Sequence, residues 1–508
     1  MSGGYATLAS VTDVDPSMAA RTAHATPAFT ADDLVRLTGG RLLARSDRPI
    51  RGAAVDSRAV LEGQVFVALP GDRTDGHSYL PDAVRGGAAA VIVTRPPADP
   101  ALLGDVTVVR VADGLAALAA IATGWRQRFD PVVVGITGSI AKTSTKEAVA
   151  AVLATTWTTL KSEGNQNNEI GVPLTVLRMG PEHGAAVLEM GMYTRGEIAD
   201  LAAIGRPSIG VITAVQAVHL SRIGSIEAVE RAKGELLEAL PANGTAVLNE
   251  DDPIVRKMDR RTVARALRYG FAETAQVRAT NVASDGLVGM RFRLQTPIGA
   301  RSIRIPVLGR LSVHNALAAA AVGVAAGVPL DAIVAGLAAG WAAPHRAEVV
   351  LLRGATVIDD SYNASPASVI AALELLAGIP GRHVAVLGEM LELGEAHDEG
   401  HRSVGEAAAG VAELLIVVGH DARGIIAGAI AAGMDATRVH HATDGETALD
   451  ALRPRLRDGD VVLVKASRGI QLDRLVDALR LELGETVGKI VDKTVDKTVG
   501  KIVDKTAR

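Results

Sequence analysis

The 508-residue sequence predicts an α/β protein built on parallel sheets, and three observations carry that prediction. Short β-branched and aliphatic runs alternate with Ala-rich stretches of helical character, the order that lays strands side by side with helices across their faces. One such run, Val132-Val133-Val134, enters a turn of small residues ahead of Lys142-Thr143 and an Ala/Val-rich helix. The length, at roughly 150 residues per domain, corresponds to about three domains.

Taken in order, residues 1–27 are rich in Ala, Ser and Thr. They lack a basic segment followed by an apolar one, so they read as a flexible leader rather than a targeting signal. Strands are expected within 88–93, 132–134, 185–188, 209–213, 384–387 and 461–464. Boundaries are expected near 125, before the strand that feeds the small-residue turn, and near 343, where Trp341-Ala342-Ala343-Pro344 breaks an Ala-rich helix. The expected units are therefore 28–125, 126–343 and 344–485, followed by a tail over 486–508. That tail repeats in fours (VGKI, VDKT, VDKT, VGKI, VDKT), a period that fits neither a strand nor a stable helical stripe, and it reads as solvated chain.

Composition excludes several classes. A net charge of −4 supplies no basic field, which argues against nucleic acid as the main partner. With no cysteine, disulfides and thiolate metal sites are out, and the cytoplasm is the expected compartment. No run approaches 18 apolar residues, so no membrane span is expected.

In parallel sheets ligands sit beyond the carboxyl ends of the strands. The residues that follow each run are therefore the candidates. After 132–134 come Thr137, Gly138, Ser139, Ile140, Ala141, Lys142, Thr143 and Ser144. A strand, a small-residue turn and a helix start aim backbone N–H groups at an anion, with the helix dipole adding to the attraction. Lys142 would reach the β- and γ-phosphates of a nucleotide, and the Thr143 hydroxyl would bind Mg²⁺. The strict G-x-x-x-x-G-K-[ST] pattern is not met, because Ile136 and Ala141 stand where it has glycines. Glu189 follows the next run and is either a Mg²⁺ ligand or a solvated carboxylate. His219 reads as a metal ligand or a packed histidine. Lys233 reads by position alone as a surface helix lysine in an ion-pair ladder.

Their order along the chain, a loop followed by Glu, His and Lys, resembles the Mur ligases, the ATP-dependent amide-forming enzymes of bacterial cell-wall precursor synthesis. So do many other segments between about 28 and 482. Gly164-Asn165-Gln166-Asn167-Asn168-Glu169-Ile170-Gly171-Val172-Pro173-Leu174-Thr175 and Asp359-Asp360-Ser361-Tyr362-Asn363-Ala364-Ser365-Pro366 resemble the D-alanyl-D-alanine-adding member. Glu189-Met190-Gly191, Arg231-Ala232-Lys233-Gly234-Glu235, Asn249-Glu250-Asp251-Asp252, Pro344-His345-Arg346 and Leu387-Gly388-Glu389-Met390 fit the same family. Val55-Asp56-Ser57-Arg58 and Gly71-Asp72-Arg73-Thr74-Asp75-Gly76-His77 resemble its uridine-nucleotide domain.

The resemblance implies a three-domain α/β architecture: an N-terminal uridine-nucleotide-binding domain, a central P-loop-type parallel-sheet ATPase domain and a C-terminal Rossmann-like domain. It implies that Thr143 and Glu189 hold the Mg²⁺ of ATP, and that His219, with Lys233 as a carbamate, serves a second Mg²⁺. Catalysis would rest on Lys142, Lys233 and His219. Asn315, Arg346 and Asp360 would contact the nucleotide. Ser57, Arg58, His77, Asn167, Asn168 and Asn363 would contact the substrates. Those substrates would be UDP-N-acetylmuramoyl-tripeptide and D-alanyl-D-alanine, joined by a monomer through an acyl phosphate.

Three departures stand out: Ala141 where the family has Gly, Ala214 where an Asn commonly follows the Thr, and Ser365 for Asn. Two alternatives stay open on sequence alone. One is a relative that adds a single amino acid to the same precursor, although the Asp-Asn-Pro-Arg stretch of the diamino-acid-adding enzyme is missing. The other is a non-catalytic nucleotide-binding relative.

Overall fold

The computed structural model of the chain describes residues 27–71, 74–97, 103–216 and 223–486. The expected leader (but for its last residue), the repeat tail from 487 onward, Asp72-Arg73 and His219 lie outside the described residues.

Three sheets follow one another along the chain. The first holds β1 (Arg41–Ala44), β2 (Ala53–Ala54), β3 (Val65–Val67), β4 (Ala90–Val93) and β5 (Thr107–Arg110) in the order β1-β5-β4-β3-β2. Only the β1–β5 pair in it is antiparallel.

The second sheet has nine strands. They are β6 (Val132–Thr137), β7 (Thr159–Lys161), β8 (Ala185–Glu189), β9 (Ile209–Ile212), β10 (Thr245–Asn249), β11 (Arg265–Gly270), β12 (Val277–Ser284), β13 (Met290–Thr296) and β14 (Gly299–Ile305). Their order is β14-β13-β12-β11-β10-β9-β6-β8-β7. The third sheet, β15 (Glu348–Leu352), β16 (Ala355–Asp359), β17 (Arg382–Gly388), β18 (Leu414–Val418), β19 (Val439–Ala442) and β20 (Asp460–Lys465), has the order β15-β16-β20-β17-β18-β19. All its pairs are parallel except β15–β16.

Each of the six expected runs becomes a strand with parallel neighbours. The reason is visible in β8 and β18, which are buried along their whole length, as strands covered on both faces must be. The central sheet departs from a pure parallel sheet at its far edge. There β13 alternates Met290, Phe292 and Leu294 inward with Arg291 and Arg293 outward, giving an antiparallel ribbon with one wet face.

The order reverses beside β6: the chain runs from it to β8 and β7 on one side and to β9 on the other. A crevice opens at such a switch point, at the carboxyl ends of the strands. The helix Lys142–Leu153 that leaves this point is clamped from behind by the helices Arg310–Ala325 and Leu330–Ala339. Their approach is close enough that a Cβ on Gly336 would lie 2.8 Å from the Ala151 carbonyl oxygen and from Val152 Cα.

One apolar core is shared by the first two sheets. It runs from Phe29, Val65 and Ile92 through Trp125 to Val133, Leu188 and Leu236. Trp125 Nε1 donates to the Met179 carbonyl at 2.8 Å, and the buried Arg126 Nε donates to the Gly205 carbonyl at 2.9 Å, across the same seam. The third sheet has separate cores on its two faces, one around Val369, Leu387 and Val417 and the other around Val350, Val386 and Val464. Among the described residues no helix is long and apolar enough to cross a membrane.

Candidate active site

The small-residue turn closes as a cradle. Gly138 has φ +156°, and a Cβ there would sit 1.8 Å from Thr213 Oγ1, so no side chain fits. Thr213, just past β9, donates its hydroxyl to the Ile140 carbonyl at 2.6 Å. Ser139 is tied to the same strand end, its N–H donating to the Ala214 carbonyl at 2.8 Å and its Oγ accepting from Gln216 N at 2.9 Å. Thus the loop is pinned by β9 and its N–H groups are held in place before any anion arrives. Where Ala214 lacks a polar side chain, Asn249 Nδ2 reaches across from β10 to the Thr213 carbonyl at 2.8 Å.

Ala141 adopts φ 65°, ψ 4°, the left-handed conformation in which glycine is at ease. For a residue with a Cβ this costs about 1–2 kcal/mol. The next residue, Lys142, opens the helix and folds its Nζ back onto the Gly138 carbonyl at 2.8 Å. Burial pushes its ammonium down from the usual lysine range, the Glu189 carboxylate partly restores it, and Arg346 adds to the lowering.

Glu189 ends β8 and is 1% exposed, not solvated. Its Oε1 accepts from Asn167 Nδ2 at 2.9 Å, whereas its buried Oε2 has no hydrogen-bond partner among the described residues. A buried carboxylate oxygen without a hydrogen bond, at the mouth of a phosphate cradle, suits a divalent cation.

Lys233 lies in the helix Ile226–Glu238 and is 3% exposed, so it is not a surface lysine. Among the described residues its ammonium makes no hydrogen bond or ion pair. Burial, with the Lys142 charge adding to it, drives its ammonium well below the ordinary lysine range.

Asn168 is spent on its own segment: its Oδ1 accepts from Gly171 N at 3.0 Å and so holds the start of the helix Gly171–Leu177. Thr145 Oγ1 donates to Asn315 Oδ1 at 3.1 Å, tying the helix Arg310–Ala325 to the first turn of the helix that follows the loop.

From across the cleft the third sheet contributes Arg346, Asp360 and Asn363. Arg346 reaches Thr143 Oγ1 at 3.3 Å and stacks over Tyr362 at 4.2 Å. Its neighbours His345 and Ala347 both adopt positive φ, 58° and 51°. Both are pinned from behind. His345 Nδ1 meets the fully buried Asp359 at 2.7 Å, and Ala347 N donates to Asp360 Oδ1 at 3.2 Å.

Asp360 Oδ2 also accepts from Lys465 Nζ at 2.6 Å, and Lys465 donates to the Asn363 carbonyl at 2.9 Å. Sequence reasoning did not single out Lys465, although it directly follows the 461–464 run. Inspecting the residue after every strand would have found it. Lys146, one helical turn beyond Lys142, was passed over in the same way. Together the loop, Glu189, Asn167, Arg346 and Asp360 line one cleft of about 620 Å³.

The first sheet holds the remaining candidates. Ser57 and Arg58 form a short turn capped by Asp56. The exposed Arg58 pairs with Asp56 at 2.7 Å and pulls its carboxyl down to about 2. His77 is turned inward: Nδ1 meets Asp75 Oδ1 at 2.7 Å, and Nε2 accepts from Thr94 N at 3.0 Å. Both ring nitrogens are engaged within the protein, so His77 fixes the 75–79 turn against the end of β4.

Comparison with known proteins agrees with this arrangement. The Mur ligase family, catalytic domain matches residues 49–126, the Mur ligase middle domain residues 136–323, and the Mur ligase, glutamate ligase domain residues 345–468. The UDP-N-acetylmuramoyl-tripeptide--D-alanyl-D-alanine ligase of Mycobacterium tuberculosis is 41% identical over 463 residues, 84% of this chain and 91% of that protein. MurF from Acinetobacter baumannii superposes with a TM-score of 0.81 at 29% identity, covering 90% of this chain and all of the other. MurF ligase from Thermotoga maritima in complex with ADP superposes with a TM-score of 0.75 at 29% identity, over 85% and 98%. With three family domains in order and a relative this similar along most of its length, the chain belongs to the Mur ligase family.

Proposed function

We propose that this chain joins D-alanyl-D-alanine to UDP-N-acetylmuramoyl-tripeptide at the expense of ATP, making the pentapeptide precursor of peptidoglycan. The observation that carries the reading is the single cleft in which the pinned phosphate loop and Glu189 of the central sheet face Arg346 and Asp360 of the third. The named relatives narrow the substrates, and the ADP complex of the Thermotoga protein favours ATP. We take the chain as a cytoplasmic monomer divided into 28–125, 126–343 and 344–485.

A carboxylate is too poor an electrophile for an amine to attack in water. The tripeptide's terminal carboxylate oxygen therefore attacks the γ-phosphorus of ATP, ADP leaves, and an acyl phosphate forms. The dipeptide amine then adds to the acyl carbon and phosphate is expelled. Lys142 would leave the Gly138 carbonyl for the phosphates, and the cradle N–H groups of 138–144 would hold the charge that spreads during transfer. Arg346 would reach the same phosphates from the opposite wall, excluding the water that would hydrolyse the acyl phosphate.

The residues fit Mg²⁺. Thr143 and Glu189 would hold one ion, and His219 with a carbamylated Lys233 a second, neutralising charge on the transferring phosphoryl group. Burial of Lys233 favours its neutral amine, the form that combines with carbon dioxide, which supports the carbamate. Asn167 would orient Glu189 where nucleotide and acceptor meet, and Asn363 would border the acceptor. Asn315 would border the nucleotide. Ser57 and Arg58 would hold the uridine diphosphate end, on a surface shaped by His77.

The test is phosphate release from ATP with UDP-N-acetylmuramoyl-tripeptide present, D-alanyl-D-alanine, D-alanine and diaminopimelate being offered in turn. Release only with the dipeptide, and a pentapeptide product by mass, is expected. Lys142→Ala should abolish it while the uridine precursor still binds. Release with a single amino acid instead would move the chain to another step of the same series.

A further inference from the structure

Lys146 is a buried charge beside the phosphate loop without a role in the reaction above. It is 0% exposed, and a lysine is almost never that buried unless it is paired. Its ammonium donates to the Gly164 carbonyl at 3.0 Å and lies 3.3 Å from Glu147 Oε1 and 3.9 Å from Glu189 Oε2. Glu147 shares its charge with Lys161, which takes its other oxygen. Lys146 thus faces two carboxylates, and the one that lines the cleft is Glu189, whose Oε2 hydrogen-bonds to nothing among the described residues.

Glu189 is thus held at both oxygens, by the Asn167 amide on one side and a fixed ammonium near the other. We propose that Lys146 is a built-in counter-charge, a positioning residue that keeps Glu189 neutralised and aligned while the cleft is empty. It thereby weakens the site for a bare divalent cation until nucleotide phosphates add their own negative charge. The metal then enters productively only with its nucleotide. This rests on the reading of Glu189 as a Mg²⁺ ligand.

Coulomb's law sets the scale. Even screened as in bulk water, removing a unit charge roughly 5 Å from a divalent ion changes its binding constant by about tenfold or more. The geometry also separates the charge from the hydrogen bond. Glutamine at 146 can still donate to the Gly164 carbonyl but carries no charge, whereas arginine keeps the charge.

The experiment titrates Mn²⁺ as the probe, by electron paramagnetic resonance, against the full chain with and without ADP. In Lys146→Gln the nucleotide-free protein is expected to bind Mn²⁺ about tenfold more tightly than wild type, so that Mn²⁺ occupies the site without ADP at concentrations at which the wild type needs it. Lys146→Arg is expected to stay near wild type. A Gln variant with unchanged or weaker nucleotide-free binding would overturn the proposal, provided Glu189→Gln weakens Mn²⁺ binding. If Glu189→Gln changes nothing, the reading of Glu189 fails first and this inference with it. Should the Gln variant not fold, Lys146→Met replaces it. Failure of both beside a folded Arg variant would make the charge purely structural and overturn the proposal as well.

Discussion

Ala141 shows how one methyl group can be tolerated at a cost. The left-handed backbone at this position is fixed by its neighbours, since Ser139 and Ile140 are tied to the end of β9 and Lys142 begins a helix. Ala141→Gly should therefore relieve strain. The gain in unfolding free energy is about 1 kcal/mol or less, because glycine also loses more chain entropy on folding. The KM for ATP should fall or hold steady, and a marked rise would mean that the loop has adapted to the methyl group. Lys233 makes a second residue-scale prediction. Its folded ammonium loses its proton well below 10.5, so the unfolded chain binds more protons between that lowered value and 10.5. Stability then rises with pH through this window. In carbon dioxide-free buffer, Lys233→Met should be more stable than wild type at neutral pH, the difference closing as the pH approaches 10.5. Added bicarbonate should raise the melting temperature of wild type alone. A difference that stays constant with pH would mean that Lys233 keeps its proton when folded.

At the scale of elements, the sequence was most readable where pattern and burial coincide. The runs at 132–134, 185–188 and 209–213 are continuous apolar stretches because β6, β8 and β9 are covered on both faces. The antiparallel ribbon β12–β14 was not read, since its inward Met290, Phe292 and Leu294 are interleaved with arginines and no apolar run forms. In the site, the loop, Glu189 and Arg346 could be placed from motif order. The inward turn of His77 and the capping use of Asn168 could not, because which way a side chain faces is decided by strands and helices distant in sequence. The same distance dependence governs the support of the phosphate helix. The helix Leu330–Ala339 presses Gly336 onto the backbone of Ala151 and Val152, leaving no room for a Cβ. Gly336→Ala should cost about 1–3 kcal/mol in overpacking, reduced by the roughly 1 kcal/mol that alanine gains over glycine in a helix. Denaturant unfolding measures the net loss. A stabilised variant would mean that the two helices can part without consequence, and that the helix bearing Lys142 is not held from behind.

For the whole molecule, three sheets do not make three independent folding units. The first sheet shares its largest core with the central one: Phe29, Val65 and Trp125 belong to the same cluster as Val133, Leu188 and Leu236, and Trp125 and Arg126 bond across the seam. Separating these sheets would expose that cluster to water, a loss far larger than the few kcal/mol by which a domain is stable. The third sheet carries its own cores on both faces and meets the central sheet mainly through Leu308, the strained His345–Ala347 linker and the polar contact of Arg346 with Thr143. Calorimetry of the ligand-free chain should therefore resolve two transitions, with the first and second sheets melting together and the third alone. UDP-N-acetylmuramoyl-tripeptide, on the proposed binding to the first sheet, should raise the larger transition, by about 2.7 kcal/mol at a hundred times its Kd. ATP with Mg²⁺, on the proposed grip from both walls of the cleft, should draw the two transitions together, and Arg346→Ala should undo that merging while leaving the effect of the uridine nucleotide intact. Three separate transitions would refute the shared core. Failure of ATP to couple the two would remove Arg346 as the link between the walls.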